Sequence, residues 1–149
     1  MGDGYPRRIV CLTEETAETL YLLGEQDRIV GISGYTVRPP EARREKALVS
    51  AFISAKFDKI DDLRPDLVLA FSDLQADVTR ELIRRGHAVF TFNQRSVEEI
   101  FEMIGTLARL VRAEERGERL VEQLRAGIRR VEEEAAKLRR RPRVFFEEW

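Results

Sequence analysis

Short β-branched apolar runs alternate with amphipathic stretches along most of this chain. The first run, "RIVCL", leads into "TEET" and then into apolar positions at Ala17, Leu20, Tyr21 and Leu23. A brief continuous apolar run predicts a buried strand, and the spacing after it predicts a helix. Thr13 stands at the N-cap position, with Glu14 and Glu15 in the first turn where the helix dipole favours acid, and Gly24 marks the end. The same pattern predicts strands over 28–33, 66–71 and 87–92, and an extended piece over 47–52. Between them lie a loop over 34–43, with Pro39-Pro40 opening a short helix, and a helical piece over 58–63 stopped by Pro65. Residues 72–86 form an amphipathic helix, with Ser72 and Gln75 at capping-box spacing. "SVEE" is a second capping box, opening a helix with Ile100, Met103, Ile104, Leu107, Leu110 and Val111 on one face.

From 113 to 140 the pattern changes. Leu120, Val121, Leu124, Ile128, Val131 and Leu138 form one narrow stripe on an otherwise charged helix. At 1.5 Å per residue it would span about 40 Å, longer than a domain of this size needs. Its basic end, "KLRRRPR", suits a helix C-terminus. "RPRVFFEEW" follows, where Pro142 separates the helix from a short apolar run over 144–147. That run is either an added edge strand or the opening strand of a further unit.

The alternation of strands and helices predicts an α/β fold with a Rossmann-like parallel sheet and helices on both faces. Ligands of such sheets sit at the carboxyl ends of the strands. The candidate site is therefore the loop set Thr13-Glu14, Ser33-Gly34-Tyr35, Phe52, Phe71-Ser72-Asp73 and Phe92-Asn93-Gln94.

Composition narrows what that site can do. The chain has 149 residues, 43% hydrophobic and 36% charged, which describes a globular chain. Its 26 basic and 27 acidic residues leave a net charge of −1, so bulk charge gives no reason to expect nucleic acid. No apolar run approaches the ~18 residues of a membrane span. "MGDGYPRRIVCL" shows no apolar signal segment, which fits a cytoplasmic protein or a chain without its leader. Cys11 is the only cysteine, so neither an internal disulfide nor a cysteine-rich metal site is expected.

Motifs for several chemistries are missing. "GISG" lacks the third glycine of a dinucleotide fingerprint, and there is no P-loop and no nucleophile elbow. His87 is the only histidine and opens a strand at the wrong edge for the site, which leaves no catalytic triad and no histidine-based metal site. Asp61-Asp62 is expected to face solvent. Glu14, Glu15 and Asp73 could suit a magnesium-dependent receiver, but no lysine follows the last strand before the long helix. No catalytic residue and no metal ligand is therefore assigned. What the loops offer is aromatic: Tyr35, Phe52 and Phe71 all fall at or just past strand ends. Each ring alone could be core packing. Three at one rim suit a large, flat, partly apolar ligand held by contact area.

Four stretches, in order along the chain, carry a resemblance. "RIVCLTEETAETLYLLGEQDRIVGISGY" and "FDKIDDLRPDLVLAF", followed by "RSVEEIFEMIGTLARLV" and the long helix, resemble the binding proteins that deliver cobalamin and ferric siderophores to ABC importers. Members have two Rossmann-like lobes joined by one rigid helix, with the ligand between the lobes. The resemblance implies an N-terminal lobe over 1–95, helices including the inter-lobe backbone over 96–141, and the first strand of a second lobe over 142–149. It implies a substrate-binding component of an ABC importer that binds cobalamin or a related corrinoid and catalyses nothing. A ferric siderophore or haem-type chelate, or a cytoplasmic corrinoid-binding role on the same fold, are the other readings.

By position, the resemblance makes Tyr35, Phe52 and Phe71 cleft aromatics and Thr13-Glu14 the first cleft loop. Members more often have a proline and a serine where this chain has "TEET". Ser72, Asp73 and Asn93 join the set as neighbouring loop residues, and Trp149 as an aromatic of the far wall. Asp58 matches an acidic position that contacts arginines of the importer; it is equally a helix N-terminal acid. The implied partners are a small metal chelate and an ABC permease, with no resident cofactor. The implied state is a periplasmic monomer at full length.

Overall fold

The computed structural model describes residues 4–147. Five strands form one fully parallel sheet: β1 (Ile9–Cys11), β2 (Ile29–Ser33), β3 (Ala47–Ser50), β4 (Leu67–Phe71) and β5 (Val89–Phe92). Their order is β3-β2-β1-β4-β5, so the chain crosses back over β1 to start β4. That reversal opens a crevice between the carboxyl ends of β1 and β4, where doubly wound sheets bind ligands. The strand expected over 47–52 ends at Ser50, because residues 51–54 close a tight turn in which the Ala51 amide donates to the Ser54 carbonyl at 2.9 Å.

Alternation along each strand divides the core in two. Ile9, Cys11, Leu67 and Leu69 face α1 (Glu14–Leu22), α5 (Val97–Leu110) and α6 (Glu114–Ala136). Val10, Leu12, Val68 and Ala70 face α3 (Phe57–Leu63) and α4 (Ala76–Arg84). A short α2 (Ala42–Glu45) precedes β3. Both faces are thus covered, as near-continuous apolar strands require. Cys11 is buried in the first cluster, and burial pushes its thiol up to about 12.

Helix ends follow the sequence in part. Gly24 has φ +71°, and α1 closes with Gly24 and Glu25 amides donating to the Tyr21 and Leu20 carbonyls at 3.0 and 2.8 Å. This is the paired hydrogen-bond pattern that a left-handed glycine permits. Ser96 caps α5 by accepting from the Glu99 amide at 3.2 Å. Thr13 occupies the N-cap of α1 but makes no capping bond; its hydroxyl donates to Glu15 Oε1 at 2.8 Å. The capping box expected at Ser72 and Gln75 does not form. Ser72 accepts from the Leu74 amide at 3.2 Å and opens a short 3-10 turn, Asp73–Gln75, ahead of α4, and Gln75 turns inward.

α6 begins packed against α5. A Cβ on Gly117 would stand 2.5 Å from Ala108 Cβ, so only glycine allows this approach. Leu120 and Val121 join the core, but further along Val131 is 67% exposed. The helix stops at Ala136, short of the expected 140. Residues 144–147 form neither an edge strand nor any other strand; Phe145 is 88% exposed. A β-strand needs a hydrogen-bonded neighbour, and none of the described strands pairs with this segment.

Candidate functional site

The loops after β1, β2, β3 and β4 meet around one depression of about 390 Å³. Thr13, Glu14, Tyr35, Phe52 and Phe71 line it together, as the topology predicts. Glu15, Ser33, Gln94, Ile100 and Met103 complete the lining. Tyr35 is 63% exposed, so its ring is available for contact and is not core. Phe52 and Phe71 are half-buried, and Phe71 also packs against the first core cluster.

Three of these loops share one clip. Gln75 is 1% exposed, and its Oε1 accepts from the Phe71 amide at 2.9 Å. Its Nε2 donates to the carbonyls of Phe52 at 2.7 Å and Leu12 at 3.3 Å. One buried amide thus fixes the ends of β1 and β4 and the turn after β3. Next to it Ser72 has φ +59°, a left-handed conformation costly for serine. Its amide donates to the Phe92 carbonyl at 2.8 Å, which holds the backbone there. Ser33 Oγ accepts from the Tyr35 amide at 3.2 Å, turning the chain out of β2.

The depression is electrostatically one-sided. Burial holds the Glu15 carboxyl above the ordinary carboxylate range and the Glu14 charge adds to this; hydrogen bonds from Thr13 and Gln94 pull the other way. Gln94 Oε1 is buried with no hydrogen-bond partner among the described residues. Arg95, which the sequence reading did not single out, stands over the Phe71 ring at 5.5 Å. It donates to Asp73 Oδ1 at 3.2 Å and Asn93 Oδ1 at 2.9 Å.

Ser72, Asp73 and Asn93 do not line the depression. They face a neighbouring groove along α4 and β5, with Arg80, Ile83 and Thr91. Their loops do follow β4 and β5, but the side chains fall on the α4 side. Asp58 lies apart on α3, its side chain 96% exposed, with Oδ1 3.0 Å from Arg85 Nη1. Trp149 lies outside the described residues. His87 lies at the opposite edge as expected, and its Nε2 is 2.6 Å from Asp61 Oδ1. Asp61 does not simply face solvent: Arg85 also donates to it, at 2.6 Å. No group of three or more His, Cys, Asp or Glu able to hold a metal ion occurs among the described residues. No helix among them is long and apolar enough to cross a membrane.

The family model for periplasmic binding proteins matches residues 9–149. The chain belongs to this family. Its members are binding proteins, which agrees with a rim of rings and acceptors. An ABC transporter substrate-binding lipoprotein of Bacillus subtilis, YvrC, is 28% identical over 134 residues, 87% of this chain and 42% of that protein. A cobalamin-binding protein of Halobacterium salinarum is 30% identical over 110 residues, 72% of this chain and 30% of that protein. The chain therefore spans less than half the length of either relative. The periplasmic heme-binding protein RhuT from Roseiflexus sp. RS-1 superposes with a TM-score of 0.81 at 22% identity, over 91% of this chain and 52% of that one. At that identity the likeness speaks for the fold alone, and it agrees with the α/β architecture expected from the strand pattern.

Proposed function

We propose that this chain forms one wall of a two-lobe cleft in the substrate-binding protein of an ABC importer, and that the ligand is cobalamin or a related corrinoid. The observation that carries this reading is the meeting of Tyr35, Phe52 and Phe71 around one depression at the carboxyl ends of the strands. A corrinoid is broad, flat and largely apolar over its ring. Aromatic rings hold such a ligand through contact area, and the Gln75 clip sets them in place before it arrives. The cobalamin-binding relative supports the choice of ligand.

The rest of the reading follows from the family. The protein acts outside the cytoplasm, periplasmic or lipid-anchored, and hands its ligand to a permease. It binds without transforming. Asp58, exposed on α3, is the residue offered for contact with permease arginines. α6 serves as the stiff connector, so the cleft closes little on binding. Past α6, residues 142–147 lead toward the second lobe. At full length the protein is a monomer.

Titration of the protein with cyanocobalamin, hemin and a ferric hydroxamate siderophore, followed by quenching of intrinsic fluorescence, tests this. Saturable quenching by cyanocobalamin, stronger than by the other two, is expected. A saturable response to hemin or the siderophore alone would move the ligand to that class, and no response to any would sink the reading.

A further inference from the structure

The depression is lined by acceptors and by no cation. Glu14 and Glu15 contribute carboxylates, and Gln94 contributes a buried carbonyl oxygen with no partner. No lysine or arginine is among the described residues that line it. Two guanidiniums stand near this rim and both are engaged: Arg95 stacks on Phe71 and donates to Asp73 and Asn93, and Arg43 donates to the Gly34 carbonyl. Thr13 donates its hydroxyl to Glu15, and Ser33 Oγ accepts from the Tyr35 amide. A ligand edge seated here meets negative charge and an unfilled acceptor.

We infer that Glu14, Glu15 and Gln94 make this wall selective for a chelate whose periphery is neutral and rich in primary amides, against one bearing carboxylates. Amide N–H groups donate to all three side chains. A carboxylate in the same place meets no cation among the lining residues and is repelled by two like charges in a partly desolvated site. Rejection by an unmatched charge discriminates as well as added attraction does. The inference rests on the corrinoid reading, because corrinamides carry such amides around the ring. It goes further by naming what the wall excludes: tetrapyrroles with free propionates, and corrinoids whose amides have been hydrolysed. Glu15 and Gln94 act as specificity determinants beside the aromatic contacts.

The test compares cyanocobalamin with its monocarboxylic acid derivatives, which differ by one hydrolysed amide, and with hemin. Wild-type protein is expected to bind cyanocobalamin about tenfold or more tightly than at least one monocarboxylate, equivalent to about 1.4 kcal/mol. Glu15→Gln keeps shape and the acceptor for Thr13 while removing the charge, and it should bring that ratio to within about threefold. Glu14→Gln, on the exposed side, serves as a second variant should Glu15→Gln fold poorly by circular dichroism. Equal affinity for cyanocobalamin and every monocarboxylate in the wild type overturns the selectivity and leaves the corrinoid reading standing. So does a ratio that neither variant moves. Binding of hemin alone overturns both.

Discussion

The carboxyl edge of the sheet exposes Tyr35, keeps a partly buried carboxylate at Glu15 and holds Ser72 at a left-handed φ. The amino edge and the turn into β5 are knit by ion pairs and backbone bonds. Asp66 accepts from the amides of Arg7 and Arg8 at 2.7 and 2.9 Å, and Arg8 donates to the Leu63 carbonyl. Arg85 meets Asp58, Asp61 and Glu81, and His87 meets Asp61. One end of the same five strands is laced by ion pairs and backbone bonds, and the other leaves acceptors and rings facing outward. Local cost at one edge is what a binding site looks like when the rest of the domain supplies stability.

The largest effect is expected where the carboxyl edge depends on one buried group. Gln75→Leu strands the Phe71 amide and the Phe52 and Leu12 carbonyls. It should cost about 2–4 kcal/mol in denaturant unfolding and also weaken cyanocobalamin binding. Unchanged stability would show that the three loops hold their places without the clip.

Next come the rings themselves. Tyr35→Ala should weaken cyanocobalamin about tenfold while moving stability by no more than ~0.5 kcal/mol, because this ring is mostly exposed. Phe71→Ala should weaken binding as much and also cost stability, since that ring touches the core. A pair of variants that lose stability but keep affinity would turn these aromatics back into packing.

The two edges also differ in the sign of their response to pH. Glu15 has a raised folded-state pKa, so its favourable contribution is present when it is protonated and is lost as pH rises through that value. Glu15→Gln should therefore raise the unfolding midpoint at neutral pH and give no gain in acid. Asp61 is opposite. The hydrogen bond from His87, with help from Arg85, holds its carboxyl below the ordinary range. Its contribution is present at neutral pH and is lost as pH falls through the acid range. Asp61→Asn should lower the midpoint slightly at neutral pH, less so in high salt, and leave cyanocobalamin affinity unchanged. Equal pH profiles for the two variants would erase the contrast between the edges.

Much of this was legible in the sequence. The β-branched runs announce four strands and an extended piece where β3 lies, and their alternation with helices announces the parallel sheet. The loops after the strands therefore point to the rim, and seven residues of the expected loop set line one depression. What stayed hidden depends on contacts between residues distant in the chain. Ser72 and Gln75 have capping-box spacing, and nothing local reveals that Gln75 instead reaches Leu12 and Phe52, 63 and 23 positions away. Ile100 and Met103 carry the same helical period as core residues, so their place on the rim follows only from how α5 crosses the sheet. Ser72, Asp73 and Asn93 are in the right loops, but a side chain's direction at a turn is set by backbone angles that spacing does not encode. The apolar run over 144–147 has strand composition without a strand partner.

The most direct measurement is hydrogen exchange with and without cyanocobalamin. Binding at the carboxyl rim predicts slowed exchange over 33–36, 51–55 and 71–75, with 58–64 and 84–88 unchanged. Protection confined to the amino-edge segments, or none at the three rim segments despite saturating ligand, would contradict it.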